Sequence, residues 1–149
     1  MRNYAVAAVN TAVVAADGAW VVYQPASALG RGSIYDLVQG CGDTPADHAA
    51  GFTLRRATTG GTSTSVTPSP LDPADSASSI LAGNIVTTEP GTPGVSLLTF
   101  AMNQRMTFRW VAQPGSELVI PATNNAAIEN YVTVTSAAFD LNYTVLFSE

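Results

Sequence analysis

The chain has 149 residues, 46% of them hydrophobic and only 11% charged, with six Lys+Arg against eleven Asp+Glu for a net charge of −5. Its length fits one domain, 1–149, and its apolar content excludes intrinsic disorder. The acidic balance argues against nucleic acid and against an anionic membrane as partners.

All six basic residues are arginine. Solvated positions must therefore be filled largely by Ser, Thr, Gly, Asn and Gln. Such a surface suits a protein with extensive packing contacts, and it is also common among β-sandwiches. Cys41 is the single cysteine, so no disulfide forms within the chain. A small buried hydrophobe is the better reading for it, because no His or Arg lies nearby in sequence to activate a thiol. The apolar stretch 5–16 has no basic run before it and is too short to span a bilayer. Its composition would also suit a secretory signal, but with Met1 retained an uncleaved chain is expected.

In chain order, 4–9 reads as an opening strand, with a second piece reaching Val14. Alanine makes helix the competing reading there, and the valines favour strand. Asp17-Gly18 is a turn signal. Residues 20–23 read as a strand stopped by Pro25. Residues 34–38 are a candidate strand between glycines, and 43–51 a loop or one helical turn. Phe52-Thr53-Leu54-Arg55-Arg56 is a strand with Phe52 and Leu54 on one face. The stretch 58–79 is an extended excursion over the domain, since prolines 68, 70 and 73 preclude helix and central strand.

Residues 80–88 form a short strand, and Glu89-Pro90-Gly91-Thr92-Pro93-Gly94 a turn cluster. Strands follow at 95–102 and 106–110, the latter with Met106, Phe108 and Trp110 on one face. Gln113-Pro114-Gly115-Ser116 turns the chain into Leu118-Val119-Ile120. Strands at 131–135 and 139–147 close it. In the last, Phe139, Leu141, Tyr143, Val145 and Phe147 alternate with Asp140, Asn142 and Thr144, a period of two that defines a strand with one buried face. About eight to ten short strands with regular turn signals predict an all-β, antiparallel, jelly-roll-like sandwich of about eight strands.

Residues able to carry chemistry are few. His48 is the only histidine, and with Asp43 and Asp47 it falls short of the three or four convergent ligands a metal needs. No Gly-x-Ser-x-Gly elbow accompanies it. Asp72 and Asp75 sit in a proline-rich loop, where Asp-Pro is an ordinary turn initiator rather than a glycosidase pair. The glycines are not followed by the Gly-Lys-Ser/Thr of a phosphate loop. The sequence thus predicts no catalytic residue, cofactor or metal, and a non-enzyme. Arg55, Arg56, Arg105 and Arg109 would pair with acidic groups of a partner subunit if they lined one sheet face, with ordinary solvated arginines the competing reading. Trp20, Tyr23 and Trp110 would serve a carbohydrate-binding module only as an exposed row, and core positions suit them better. Asn142-Tyr143-Thr144 matches a glycosylation sequon by chance within a strand.

From about residue 51 to 149 the chain resembles a family of small β proteins of tailed bacteriophage virions. The resemblance rests on Phe52-Thr53-Leu54-Arg55-Arg56, on Thr67-Pro68-Ser69-Pro70-Leu71-Asp72-Pro73, and on the Asn/Thr stretch 84–88. It continues through Phe108-Arg109-Trp110, Pro114-Gly115 with Leu118-Val119-Ile120, and the ending 145–149. The last departs from the family, with Phe147-Ser148-Glu149 in place of adjacent Phe-Glu. The resemblance implies a jelly-roll cement, or decoration, protein on the outer surface of the capsid. It would form a homotrimer where major capsid proteins meet and stabilise the head. Tail or baseplate components and receptor-binding tips are alternatives of the same construction. Within that reading Thr67, Pro68, Pro70, Leu71, Asp72 and Pro73 form the candidate inter-subunit contact, because prolines lower the entropy lost on docking.

Overall fold

The computed structural model describes residues 1–88, 92–135 and 137–149. Twelve strands and no helix are present among them: β1 (Asn3–Val13), β2 (Gly18–Tyr23), β3 (Gly32–Cys41), β4 (Ala49–Ala57), β5 (Thr62–Val66), β6 (Ser69–Pro70), β7 (Leu81–Thr88), β8 (Ser96–Asn103), β9 (Thr107–Val111), β10 (Leu118–Ile120), β11 (Ala127–Thr135) and β12 (Phe139–Ser148). The exposed area, 6988 Å², matches the roughly 7,000 Å² that surface scaling gives a folded chain of this mass.

The closing strand β12 sits at the centre of one sheet, between β1 and β3, in the order β10-β3-β12-β1-β6 with β9 also on β3. Its alternating side chains Phe139, Leu141, Tyr143, Val145 and Phe147 are all buried. They meet Trp20, Phe52, Leu54, Ile128 and Val132 from the second sheet in a single core. That sheet runs β5-β7-β2-β11-β4-β8.

β9 and β10 pair with successive parts of β3, Gly40–Asp36 and Ile34–Gly32, so they are one strand interrupted by the excursion 112–117. Counting them once and setting aside β5, β6 and β7 leaves eight strands. One sheet then holds the sixth, third, eighth and first, and the other the second, seventh, fourth and fifth. That interleaving is a jelly roll, as the strand count predicted.

The excursion after β4 departs from the loop expected there. It contains two strands, β5 and β6, with β7 following. β5 and β7 extend the second sheet beyond β2, and β6 adds two residues beside Tyr4 and Ala5 of β1. Pro70 is tolerated because β6 is an edge strand. β7 bulges against β5 between Asn84 and Thr88. Ile85 within that bulge holds φ at 51°, a strained value for a β-branched residue. β3 is longer than 34–38 and carries the buried Asp36. The segment 43–48 contains no helical turn. In the turn cluster at 89–94, Glu89, Pro90 and Gly91 lie outside the described residues.

The two sheets are also joined by polar side chains. Asn10 on β1 donates to the carbonyl of Ala19 on β2 at 2.9 Å, and Asn84 on β7 donates to that of Val9 on β1 at 2.7 Å. Asn130 on β11 donates to Gln39 on β3 at 2.9 Å. Arg56 reaches across from β4 to the carbonyl of Val119 on β10 at 2.9 Å. Each bond satisfies a group that burial would otherwise penalise.

Candidate interaction surface

The groups that could carry chemistry are dispersed. His48 is exposed, and its carbonyl accepts from the Gln104 amide at 2.9 Å. Asp47 accepts from Asn103 at 2.6 Å. Among the described residues no three His, Cys, Asp or Glu side chains converge as metal ligands. Cys41 packs partly against the core. Burial first, then the Asp140 and Asp43 carboxylates, push its thiol pKa up and away from the reactive thiolate. Trp20 is fully buried and Tyr23 and Trp110 are half-buried, so the three do not make an exposed aromatic row.

The four arginines do not line one sheet face. Arg55 turns to the outer side of the second sheet, donating from Nε to Glu129 at 2.8 Å with its guanidinium 3.6 Å from the Tyr131 ring centre. Arg56 bridges to β10 instead. Arg109 forks onto Asp36 at 2.7 and 3.1 Å on the outer face of the first sheet. Arg105 follows β8 in the exposed turn to β9. Three of the four are thus engaged within the chain, because strand register sets each beside an acid or carbonyl that sequence spacing does not reveal.

The segment proposed as an inter-subunit contact runs along the flank of β1. Pro68 is buried and Pro70 half-buried, while Thr67, Leu71, Asp72 and Pro73 are exposed, Leu71 at 53%. The segment is pinned through its β6 pairing with β1 and along the chain that follows. The Leu71 amide donates to the Asn3 carbonyl at 2.8 Å, Tyr4 OH donates to the Ser76 carbonyl at 3.0 Å, and Arg2 lies 3.8 Å from Asp75. Further on, the Glu149 carboxylate accepts from Ser78 Oγ at 2.8 Å, from the Ser79 amide at 3.1 Å, and from Ser79 Oγ. Thr67, Leu71, Asp72 and Pro73 therefore stand on a fixed backbone and present a rigid exposed ridge.

The opposite flank is a different kind of surface. β8 ends the second sheet, and β9 and β10 end the first. β8 is eight residues long and has neither charge nor proline, so it lacks the usual devices that blunt a sheet edge. Its inward side chains Leu98 and Phe100, with Phe108 and Trp110 of β9, are only half-buried. The Phe100 and Phe108 rings stack at 3.8 Å, closing the seam between the sheets. Nearby Val95, Met106 and Val111 are exposed at 71%, 60% and 54%. Sequence reasoning missed this flank, because edge position depends on strand order.

Comparison with family models, with curated proteins and with solved structures gives no match.

Proposed function

We propose that this protein is a capsid decoration protein of a tailed bacteriophage, binding the outside of the head shell as a homotrimer at junctions between major capsid proteins. The reading rests on the sequence resemblance. The structural observation that carries it furthest is the β8–β9 flank, a long uncharged strand edge beside half-buried Leu98, Phe100, Phe108 and Trp110. Unpaired backbone groups next to apolar side chains favour another protein as the partner. A sandwich whose edge strand β8 carries no charge fits a mechanical role. It would link neighbouring coat subunits, and many copies per shell would add weak contacts into a strong hold.

The test is to purify virions and count copies. Stoichiometric presence on the head in a cryo-electron-microscopy map, with a trimeric mass for the isolated protein, supports the proposal. A few copies confined to the tail move the protein to the baseplate class. No density anywhere on the particle overturns the virion reading.

A further inference from the structure

Four side chains at the centre of the core each present a polar atom that no group among the described residues satisfies: Trp20 Nε1, Gln39 Nε2, Asn130 Oδ1 and Tyr143 OH. Their residues are between 0% and 3% exposed. They are also neighbours. Gln39 directly opposes Tyr143 in the β3–β12 pairing, and Trp20 opposes Asn130 in the β2–β11 pairing. Across the sandwich, Asn130 Nδ2 donates to Gln39 Oε1 at 2.9 Å, and the Trp20 and Tyr143 rings stack at 5.8 Å. The four residues are therefore corners of one square, two from each sheet, and each side of the square is a strand pairing or a direct contact.

We infer that this square binds one internal water molecule, held by all four side chains. Buried polar groups without a protein partner are ordinarily satisfied by ordered water, and a water needs two to four polar partners. The inventory here matches its capacity. The indole N–H and the Gln39 amide N–H only donate, Asn130 Oδ1 only accepts, and the Tyr143 hydroxyl does either. The water oxygen accepts from Trp20 and Gln39, and its two protons go to Asn130 Oδ1 and the Tyr143 oxygen. Exchanging the O and N of both amides preserves their mutual hydrogen bond and still leaves one donor and one acceptor for the water. The conclusion therefore does not depend on amide orientation.

The same inventory sets the class of ligand. A cation is opposed by two N–H donors, and an anion by the Asn130 carbonyl oxygen. A larger neutral molecule must separate the sheets where Asn130 and Gln39 are already in contact. Burial raises the Tyr143 pKa well above the ordinary tyrosine value, so the hydroxyl stays neutral.

The experiment is a high-resolution crystal structure of the full chain, paired with magnetic relaxation dispersion of water nuclei in solution for the wild type and Tyr143→Phe. The variant keeps the ring and its stack on Trp20, and removes one of the four ligand atoms. The expected result is a solvent peak within about 3.2 Å of at least three of the four atoms. The wild type should also hold a long-lived water whose residence time falls about tenfold in Tyr143→Phe, as loss of one hydrogen bond predicts. The inference is overturned if the four atoms bond directly to one another with no solvent density. It is equally overturned if the dispersion profiles of wild type and variant coincide.

Discussion

Arg55 and Glu129 face each other across the β4–β11 pairing, Nε to Oε2 at 2.8 Å, on the outer side of the second sheet. Glu129 is fully buried there and the Arg55 side chain is 12% exposed, lying over Tyr131. The arginine covers the acid, so its loss removes a charged hydrogen bond from a buried carboxylate. Arg55→Ala should lower the unfolding free energy by about 3–5 kcal/mol. Arg55→Lys should cost less, since the charge is kept while the planar donor and the ring stacking are lost. Urea titration of the three proteins checks both, and equal stability of wild type and Arg55→Ala would show that the pair contributes nothing.

Gly83 on β7 is fixed by close approach. A Cβ placed on it lies 1.9 Å from Ser63 Oγ and 2.6 Å from Ser63 Cβ. Gly83→Ala should destabilise by about 1–3 kcal/mol through overpacking. Ser63→Gly in the same chain should recover part of that loss. A double-mutant cycle in urea measures the coupling, and strict additivity would mean the clash is relieved elsewhere.

Tyr143 predicts an alkaline limb. Burial raises its folded pKa above the unfolded value, so the neutral phenol is the form the fold favours. Its contribution is complete below the ordinary tyrosine pKa of about 10 and is lost as pH rises beyond it, by up to about 1.4 kcal/mol per pH unit. Tyr35 is raised in the same direction, first by burial and then by Asp36. Stability measured against pH should therefore fall above about pH 10. Tyr143→Phe should flatten that fall without abolishing it, and a variant with the wild-type slope would remove Tyr143 as its source.

The two flanks make separable predictions about assembly. Leu71→Asp places a charge on the exposed ridge at 67–73, and Ala101→Lys places one on the exposed outer side of β8. Neither residue is buried, so monomer stability should change by no more than about 0.5 kcal/mol. If the ridge joins the subunits, Leu71→Asp lowers the mass seen by light scattering from trimer to monomer. If β8 pairs with a coat subunit, Ala101→Lys abolishes binding to shells while the trimer persists. Unchanged mass and unchanged shell binding in both variants would leave neither surface a role.

The features legible in the sequence were those set by local period. The alternation in β12 located its buried face residue by residue, and strand count led to the jelly roll. What stayed hidden depends on neighbours. β5 is Ser and Thr except for Val66, so no apolar face announces it, and the β6 proline argued only against a central strand. Asn10, Gln39, Asn84 and Asn130 read as surface by composition, yet they bridge the sheets inside. On β11, consecutive residues Ile128, Glu129 and Asn130 are all buried, because the arginine cover on the outer face adds a second interior to that strand. The segment 67–73 was recognisable as an ordered, proline-stiffened contact candidate, but its attachment to β1 follows from sheet order alone.

The excursion after β4 also gives the molecule a handedness in how it could join others. At that side the chain itself passes from one sheet to the other between β5 and β6, ending in a short Ser/Thr strand and a proline-bearing pair of residues. The long bare strand lies only on the far side. Lateral pairing through the long strand β8 therefore has a direction: the opposite end of the same sheet offers only the five residues of β5.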